Sequence, residues 1–185
     1  LSSMVRNFLS LSRIEKGELT TRKTDVLLRE TVFEESIQTF QKRVIEKNIQ
    51  IINKIEPKVT VSGDEDLLKI VANNLISNAF KYGKEGGTII LTSETRPEEV
   101  EIEIYNDGIP IPEEDADRLF KRFSRIAASA GKEKGTGLGL FITKEIIEAH
   151  HGRIRLKTKP FGNAFIFTLS RKRSGNGDAR EGRPA

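Results

Sequence analysis

Apolar residues recur at three- and four-residue steps in several stretches of the chain, and this spacing predicts amphipathic helices. The predicted helices cover residues 1–16, 26–45, 65–82, 114–122 and 138–150. In other stretches, apolar residues alternate with polar ones or form short runs, which is typical of β-strands. The predicted strands cover residues 49–51, 59–61, 88–93, 100–105, 153–159 and 164–169. This order of elements predicts a two-layer α/β sandwich, in which one mixed sheet is covered on one face by the three longer helices.

Two local patterns indicate where one helix begins and which way one strand faces. Ser62 and Glu65 have the spacing of a Ser-x-x-Glu capping box, which predicts that Ser62 caps the third helix. In the strand 100–105, apolar residues alternate with Glu101 and Glu103. The apolar residues of this strand are therefore expected to point into the core, and the glutamates to point outward.

The predicted helix 65–82 carries polar residues on one face. Asn74, Asn78 and Lys81 follow one another at helical spacing and therefore lie on the same side. The neighbouring apolar stripe, which would face the core, consists of Leu67, Val71, Leu75 and Ala79. Carboxamide oxygens suit hard cations and a lysine ammonium suits phosphate, so this face fits a magnesium-bound, phosphorylated ligand. A solvated helix face is the alternative, and this helix alone does not decide between the two.

A glycine-rich segment leads into the last predicted helix. It consists of Gly135, Thr136, Gly137, Leu138, Gly139 and Leu140. Glycines let backbone N–H groups approach phosphate oxygens, and the helix N-terminus adds its positive dipole end. The segment is not a Walker loop, since no Gly-Lys-Ser/Thr follows, and no hydrophobic strand leads into it as the Rossmann fingerprint requires. A further motif at 106–112, directly after the strand 100–105, makes the order of motifs specific.

With these motifs and a fourth, the sequence resembles the ATP-binding catalytic domain of sensor histidine kinases, in the superfamily that includes gyrase, MutL and the large heat-shock chaperone ATPases. The motifs are the asparagine box (74–82), the first glycine box (106–112), the phenylalanine box (119–125) and the second glycine box (135–140). The resemblance extends to residue 171. It implies a Bergerat-type ATP-binding fold with ATP and Mg²⁺ as ligands. It also implies transfer of the γ-phosphoryl group to a histidine of the dimerisation domain.

The resemblance implies roles for individual residues. Asn78 would hold the magnesium ion, Asn74 would support it and Lys81 would neutralise phosphate charge. Tyr82 would pack against the nucleoside, and Arg125 would reach the γ-phosphate, with an ion pair on the short helix as its alternative. The further candidate nucleotide contacts are Asn106, Gly108, Ile111, Phe123, Gly135, Thr136, Gly137, Leu138, Gly139 and Leu140. Catalysis by Asn74, Lys81 and Arg125 would rest on positioning and electrostatics, because phosphoryl transfer needs little covalent help.

The segment between the phenylalanine box and the second glycine box is expected to be a mobile lid. Residues 126–134 are small or charged and have no strand period. Phe120 and Phe123 are favoured as core residues that anchor this lid, although Phe123 also stays among the candidate contacts. The tail 172–185 is rich in Gly and Arg, and disorder is expected there.

The first glycine box departs from the family pattern. It usually reads Asp-x-Gly-x-Gly, and the aspartate accepts a hydrogen bond from the adenine amino group, whereas the matching positions here are Asn106, Gly108 and Pro110. Adjacent residues leaving a strand point to opposite sides, so Asp107 should face away if Asn106 faces the pocket. Adenine recognition is expected to survive but to weaken by about 1 kcal/mol, because a neutral acceptor replaces an ionised one.

The N-terminal helix resembles the end of the family's dimerisation helix; the alternative is an ordinary helix packed on its own domain. The expected domains are 1–19 for the end of the dimerisation and phosphotransfer helix, 20–25 for a linker, 26–171 for the ATP-binding domain and 172–185 for the tail. By resemblance, the full-length protein is a homodimer that signals to a response regulator. His150 and His151 are not placed to accept a phosphoryl group, so the acceptor is expected upstream of Leu1.

Composition narrows the classes further. A chain of 185 residues, 36% hydrophobic and 31% charged, can form one compact core. The absence of cysteine excludes disulfides, thiolate metal sites and thiol catalysis. A net charge of +4 with interspersed acids does not indicate nucleic acid as a partner. No apolar run approaches the ~20 residues of a membrane span, so a cytoplasmic location is expected, with membrane anchoring of the full-length protein left open.

Other functions share these nucleotide motifs. One is an ATP hydrolase or conformational clamp of the gyrase and chaperone type, in which the position of Asn74 resembles a glutamate that activates water. An asparagine amide cannot accept that proton at neutral pH, so transfer is favoured over hydrolysis. A serine-directed anti-sigma-factor kinase is a further alternative, and the dimerisation-helix remnant argues against it. A nucleotide sensor without transfer is more remote.

Overall fold

The structure is a computed structural model that describes residues 3–124 and 136–171. The helices are α1 (Ser3–Glu15), α2 (Glu35–Gln38), α3 (Gln41–Glu46), α4 (Glu65–Tyr82), α5 (Ala116–Leu119) and α6 (Gly139–Ala149). A π-helical segment (Leu28–Glu34) leads into α2, and a 3₁₀ turn (Glu113–Asp115) leads into α5. The strands are β1 (Thr24–Leu27), β2 (Gln50–Lys54), β3 (Thr60–Gly63), β4 (Thr88–Thr95), β5 (Glu99–Asp107), β6 (Ile154–Lys159) and β7 (Gly162–Ser170).

Five strands form one mixed sheet in the order β2-β4-β5-β7-β6. The β2–β4 pair is parallel, and the other neighbours are antiparallel. In the β5–β7 ladder, Asn106 lies opposite Asn163. Strands β1 and β3 form a separate two-stranded antiparallel sheet that the hydrophobic pattern did not predict.

One face of the five-stranded sheet carries the core. Val100, Ile102 and Ile104 of β5 are buried, as their alternation predicts. Helix α4 buries Leu75 and Phe80 against this layer, and α6 buries residues of its own there. These layers, with the π-helical segment and α2–α3 beside α4, confirm the predicted two-layer α/β sandwich.

Charged side chains cover the other face of the sheet. Glutamates on β5 reach across β7 to basic residues on β6, since Arg155 lies 3.1 Å from Glu101 and Lys159 lies 3.2 Å from Glu103. Beneath these pairs, Ile166 of β7 is 3% exposed. The long basic side chains therefore cover apolar surface that helices leave open on this face.

The predicted helix 26–45 is wrong at its start and in its middle. Val26 is fully buried in β1 and pairs with Val61 of β3, so the first residues are strand. The helix breaks at Phe40, whose φ of −104° and ψ of 6° leave the helical region and whose ring stacks on Phe80 at 5.4 Å. The Oγ1 of Thr39 also donates to Ser36 O at 2.7 Å, which competes with the backbone ladder.

Two further local predictions are corrected. Asp64, and not Ser62, caps α4, because its Oδ1 accepts from Leu67 N at 3.1 Å while Ser62 lies in the β3 ladder. The predicted helix 114–122 is a 3₁₀ turn followed by the four residues of α5. Phe120 is buried as expected, but Phe123 is 67% exposed and has a φ of +56°, so it is not a core residue.

Helix α1 ends at Glu15, close to the end that Lys16 and Gly17 predict. Gly17 has a φ of +66°, which is typical of the residue that follows a helix. It packs against α6, and Leu11 is buried there. Its other side is apolar and open, since Phe8 is 68% exposed and Leu9 is 53% exposed. Both alternatives for this helix therefore have support: one face packs on its own domain, and another has no cover within the described part of the chain.

Candidate functional site

A cleft of about 1510 Å³ opens between α4, the loop after β5 and the start of α6. The predicted residues that line it are Asn74, Asn78, Lys81, Tyr82, Asn106, Gly108, Ile111, Thr136, Gly137, Gly139 and Leu140. Leu138 is buried in the core, and Phe123 does not line the cleft. Arg125, Gly135 and the expected lid lie outside the described residues, as does the tail. The structure thus brings most of the predicted set together.

Asn74 connects three helices at one wall of the cleft. Its Nδ2 donates to Gly139 O at 3.2 Å and to Thr143 Oγ1 at 3.4 Å, which ties α4 to the start of α6. Its Oδ1 accepts from Asn7 Nδ2 of α1 at 3.5 Å. The amide of Asn74 is therefore occupied by protein groups and orients the helix that follows the glycine-rich segment.

Asn78 and Lys81 lie further along the same face of α4 and also line the cleft. Within residues 3–124 and 136–171, neither side chain has a hydrogen bond or an ion pair. A carboxamide oxygen and an ammonium group are thus free to meet a ligand. This pair is the most available polar chemistry on the helix that the sequence singled out.

The start of α6 offers backbone donors to the same cleft. Leu138 is the N-cap and makes no side-chain capping bond, so the first N–H groups of α6 have no side-chain partner there. Gly137 has a φ of +69°, and a Cβ at this position would lie 2.8 Å from the backbone of Phe123. Only glycine fits such a turn, which brings the chain into α6 with its N–H groups exposed to an anion.

At the other end of the cleft, Asn106 and Asp107 point to opposite sides, as predicted. Asn106 is 2% exposed and lines the cleft, and its Nδ2 donates to Asp107 O at 3.3 Å. The carboxylate of Asp107 accepts from Thr88 N with both oxygens, at 3.0 and 2.9 Å. A Cβ on Gly108 would lie 2.4 Å from Tyr82 O, so this position also needs glycine.

Asn163 is a site residue that the sequence did not reveal. Its Oδ1 accepts from Ile111 N at 2.8 Å and its Nδ2 donates to Ile109 O at 2.9 Å. Thr158 Oγ1 also donates to Ile111 O at 2.5 Å. Asn163 therefore fixes the loop of the first glycine box from the neighbouring strand. Only its register with Asn106 in the β5–β7 ladder could have indicated this role.

The rim of the cleft is mostly basic. The charged residues that line it are Arg43, Lys47, Asp66, Lys69, Lys81, Lys84 and Glu85. Lys69 is paired with Glu35 at 2.7 Å and with Glu65 at 2.8 Å, and these hydrogen bonds raise its pKa. The Nζ of Lys47 donates to Phe80 O at 3.1 Å. Even without Lys69, which is paired, four cations against two acids favour an anionic ligand.

Two negative findings limit the chemistry. In the described residues, no group of three or more His, Cys, Asp or Glu could hold a metal ion. His150 is 1% exposed, and its ring contacts Asp64 N at 2.9 Å and Ile146 O at 2.7 Å. Both ring nitrogens are thus occupied, in agreement with the expectation that His150 accepts no phosphoryl group.

The sequence is similar to one ATPase family and to proteins named as sensor kinases. The profile of the family described as "Histidine kinase-, DNA gyrase B-, and HSP90-like ATPase" matches residues 63–173. The chain is 33% identical to the adaptive-response sensory kinase SasA of Crocosphaera subtropica, over 91% of the chain and 44% of the relative. It is 33% identical to the sensor-like histidine kinase SenX3 of Mycobacterium tuberculosis, over 92% of the chain and 41% of the relative. The chain thus spans less than half of these relatives.

Solved structures agree with the sequences. The catalytic domain of histidine kinase ThkA superposes with a TM-score of 0.73 at 32% identity, over 81% of this chain and 96% of that domain. The mycobacterial sensor histidine kinase MprB gives a TM-score of 0.71 at 26% identity, over 81% and 98%. The family profile covers more than half of the chain and includes the asparagine and glycine boxes around the cleft. The chain therefore belongs to the family of histidine kinase-, DNA gyrase B- and HSP90-like ATPases, and it carries the ATP-binding catalytic domain of sensor histidine kinases.

Proposed function

We propose that this domain binds Mg-ATP in the cleft and donates the γ-phosphoryl group to a histidine of the dimerisation domain of the same protein. The observation that carries the proposal is the arrangement of Asn78, Lys81 and the N-terminus of α6 around one cleft. An amide oxygen, an ammonium and a set of backbone donors are the groups that a magnesium-bound triphosphate needs. The relatives named as sensor kinases support transfer of the phosphoryl group to a protein histidine.

Asn78 fits the role of magnesium ligand. Its carboxamide oxygen is a hard donor, and no described protein group occupies it. Phosphate oxygens and water would complete the coordination, as is usual for magnesium at phosphoryl-transfer sites. Bound there, the ion would neutralise charge on the phosphates and align them for in-line attack. Asn74 would support this arrangement indirectly, because its amide holds the start of α6 in place.

The phosphates would lie between Lys81 and the start of α6. Lys81 would offset their charge, and the N–H groups after Gly137 would donate to their oxygens. Thr136, Gly139 and Leu140 line the same wall and would make further contacts. For Arg125 and Gly135, outside the described residues, the family resemblance supports contacts to the γ-phosphate and to the triphosphate.

The nucleoside would occupy the opposite end of the cleft. Asn106 would accept a hydrogen bond from the adenine amino group through Oδ1, because its Nδ2 is held by Asp107 O. Tyr82, which is 40% exposed on the rim, would pack against the nucleoside. Gly108 would permit close approach of the base, and Ile111 would supply an apolar contact.

Asn74 supports transfer to a protein group over hydrolysis. Its Nδ2 donates to Gly139 O and Thr143 Oγ1, and an amide oxygen is too weak a base to take a proton from water at neutral pH. An ATP hydrolase would need a general base at the position of Asn74. The groups that Asn74 bonds, on Asn7, Gly139 and Thr143, are not bases at neutral pH either.

The proposal extends to partners. Val5, Phe8 and Leu9 form an exposed apolar strip on α1, which would pair with a second copy in a homodimer of the full-length protein. A response regulator would then receive the phosphoryl group; a ThkA structure, which is 26% identical, contains the response regulator protein TrrA.

No helix of residues 3–124 or 136–171 is long and apolar enough to cross a bilayer. We place the domain in the cytoplasm.

Calorimetric titration of Asn78→Ala tests the proposal. The variant should lose about tenfold or more in affinity for Mg-ATP, but much less for ATP in the presence of a chelator, because only the metal ligand is removed. Gln38→Ala, which removes an exposed amide on α2 that does not line the cleft, is the control. Equal losses with and without magnesium would assign Asn78 a purely structural role.

A further inference from the structure

We propose that the base end of the cleft admits guanine nucleotides as well as ATP, because it reads the purine through the invertible amide of Asn106. This inference rests on the proposed nucleotide-binding function and adds a substrate class to it. It depends on three observations: the burial of Asn106, the unequal use of its two amide atoms, and the contrast with Asn163.

Asn106 has one amide atom engaged and one open. Its Nδ2 donates to Asp107 O at 3.3 Å, whereas no donor from the described parts of the chain contacts its Oδ1. The residue is only 2% exposed and lines the cleft. Since Asn106 lines the cleft and its Oδ1 accepts no hydrogen bond there, this oxygen is available to a donor of the ligand. In this orientation the amide suits the amino group at C6 of adenine.

The other amide at this end of the cleft has no such freedom. Asn163, opposite Asn106 in the ladder, uses Oδ1 for Ile111 N at 2.8 Å and Nδ2 for Ile109 O at 2.9 Å. Inverting Asn163 would break both bonds and release the loop. Of these two amides, only Asn106 can change what it presents to a ligand.

Inversion of the Asn106 amide costs one hydrogen bond and places Oδ1 against the carbonyl oxygen of Asp107. The oxygen and nitrogen of a carboxamide have almost the same shape, so a half-turn exchanges them without a change in packing. After inversion, Nδ2 faces the cleft and donates to the carbonyl oxygen at C6 of guanine. The bond that is lost, at 3.3 Å, is a long one between neutral groups. We therefore expect ATP to be preferred over GTP by only on the order of tenfold.

Asp107 does not prevent this inversion. Both of its carboxylate oxygens are directed to Thr88 N, on the side away from the cleft. The negative charge of Asp107 therefore does not face the bound base. A carboxylate at position 106 itself would behave differently, because an ionised group accepts hydrogen bonds and donates none. Such a site would reject the C6 oxygen of guanine, as sites built for one hydrogen-bonding pattern do.

Calorimetry with ATP, GTP and ITP tests the inference on the parent chain, Asn106→Asp and Asn106→Leu. The parent should bind ATP and GTP within about tenfold. Asn106→Asp should widen this ratio to about a hundredfold or more, because the donor is lost. Asn106→Leu removes both amide atoms, so its affinities for ATP and GTP should converge. ITP shares the C6 oxygen of guanine but lacks its C2 amino group, and it should follow GTP in every variant.

Asn53→Asp is the matched control, since it makes the same substitution on β2 outside the cleft and should leave the ratio unchanged. Melting temperatures of all variants show whether each is folded. A parent that rejects GTP more than about a hundredfold, with the same ratio in both Asn106 variants, would overturn the inference while leaving ATP binding intact. Failure of the folded parent to bind any nucleotide would overturn the proposed function as well.

Discussion

The backbone N–H of Asp64 donates to Nε2 of His150 at 2.9 Å, and this bond joins the N-cap of α4 to the residue that ends α6. The second ring nitrogen, Nδ1, lies 2.7 Å from Ile146 O. Because Nε2 accepts, the ring is neutral with its proton on Nδ1. Helices α4 and α6, which Asn74 joins beside the cleft, are therefore also held together by an imidazole that cannot be protonated without losing a bond.

Acid should destabilise the domain through His150. Burial lowers the pKa of His150, whereas the unfolded chain titrates near the ordinary value of about 6.5. The contribution of His150 to the free energy of unfolding is therefore complete above about pH 6.5. It is lost as the pH falls toward the pKa of His150 in the folded protein, because only the unfolded state then binds the proton. Denaturant unfolding at a series of pH values should show stability falling below about pH 6.5.

Variants assign this pH dependence to one ring. His150→Gln, which can replace both hydrogen bonds without a titratable group, should flatten the slope below about pH 6.5. His150→Ala should cost about 1–3 kcal/mol at neutral pH because Asp64 N loses its partner. His151→Asn is the control at the neighbouring position. Asparagine tolerates the positive φ of +61° found there, so this variant should retain the dependence of stability on pH. An unchanged slope in His150→Gln would contradict the assignment.

The chain should bind Mg-ATP without phosphorylating itself. Both ring nitrogens of His150 are occupied within the core, and His151 does not line the cleft. Incubation with γ-labelled ATP should leave the chain free of acid-labile label. Label that disappears in His150→Gln or His151→Asn would contradict this prediction and would make that histidine an acceptor.

Some of the site could be read from the sequence because it follows local periodicity. The two-residue period that buries Val100 to Ile104 continues to Asn106, so a polar side chain had to lie at the end of the inward row. Helical spacing likewise placed Asn78 and Lys81 on one face of α4. In both cases a residue's neighbours in sequence determine which way it points.

Other features could not be read because they depend on distant partners. Val26 fits a helical pattern, yet its pairing with Val61 places it in β1. Ser62 has the spacing of a capping residue, but it pairs with Asp25 in the same ladder, and Asp64 takes the capping position instead. The role of Asn163 depends on strand register, which no local motif records.

Arg122 should hold α1 against the catalytic domain. Its Nη1 lies 2.9 Å from Glu15 Oε1, and its guanidinium lies 4.7 Å from the ring centroid of Phe141 on α6. Arg122→Ala should therefore loosen α1 at least as much as Glu15→Gln does, because the ion pair is the contact that reaches α1 and the Phe141 ring holds Arg122 in place for it. The ion pair is half-exposed and worth about 0.2–1 kcal/mol, so Glu15→Gln should speed hydrogen exchange in α1 by up to about fivefold.

Arg118→Ala is the matched control for these variants. Arg118 pairs locally with Asp115 at 3.1 Å and is 69% exposed, so its loss should leave exchange in α1 unchanged. Mass spectrometry of peptides from residues 3–15 measures the effect. Exchange in α1 that is the same in the parent, Arg122→Ala and Glu15→Gln would show that other contacts of the helix, such as those of Leu11 and Asn7, anchor it without Arg122.

Asp107 should contribute to stability and not to the choice of base. Its carboxylate accepts from Thr88 N, and its carbonyl oxygen accepts from Lys84 N at 2.8 Å, so it closes the loop between α4 and β4. Asp107→Ala leaves Thr88 N without a partner and should cost about 1–3 kcal/mol in the free energy of unfolding. Asp107→Asn keeps one acceptor oxygen and should recover part of this loss.

The ratio of ATP to GTP affinity separates this role from a direct contact with the base. Because the carboxylate of Asp107 points away from the cleft, the ratio should stay at its parent value in both Asp107 variants, even where the midpoint of denaturant unfolding falls. Asp115→Ala, which removes a carboxylate from the surface beside α5, is the control for net charge. A large loss of ATP affinity in Asp107→Ala, with unchanged stability and an unchanged ratio in Asn106→Asp, would move the base contact from Asn106 to Asp107.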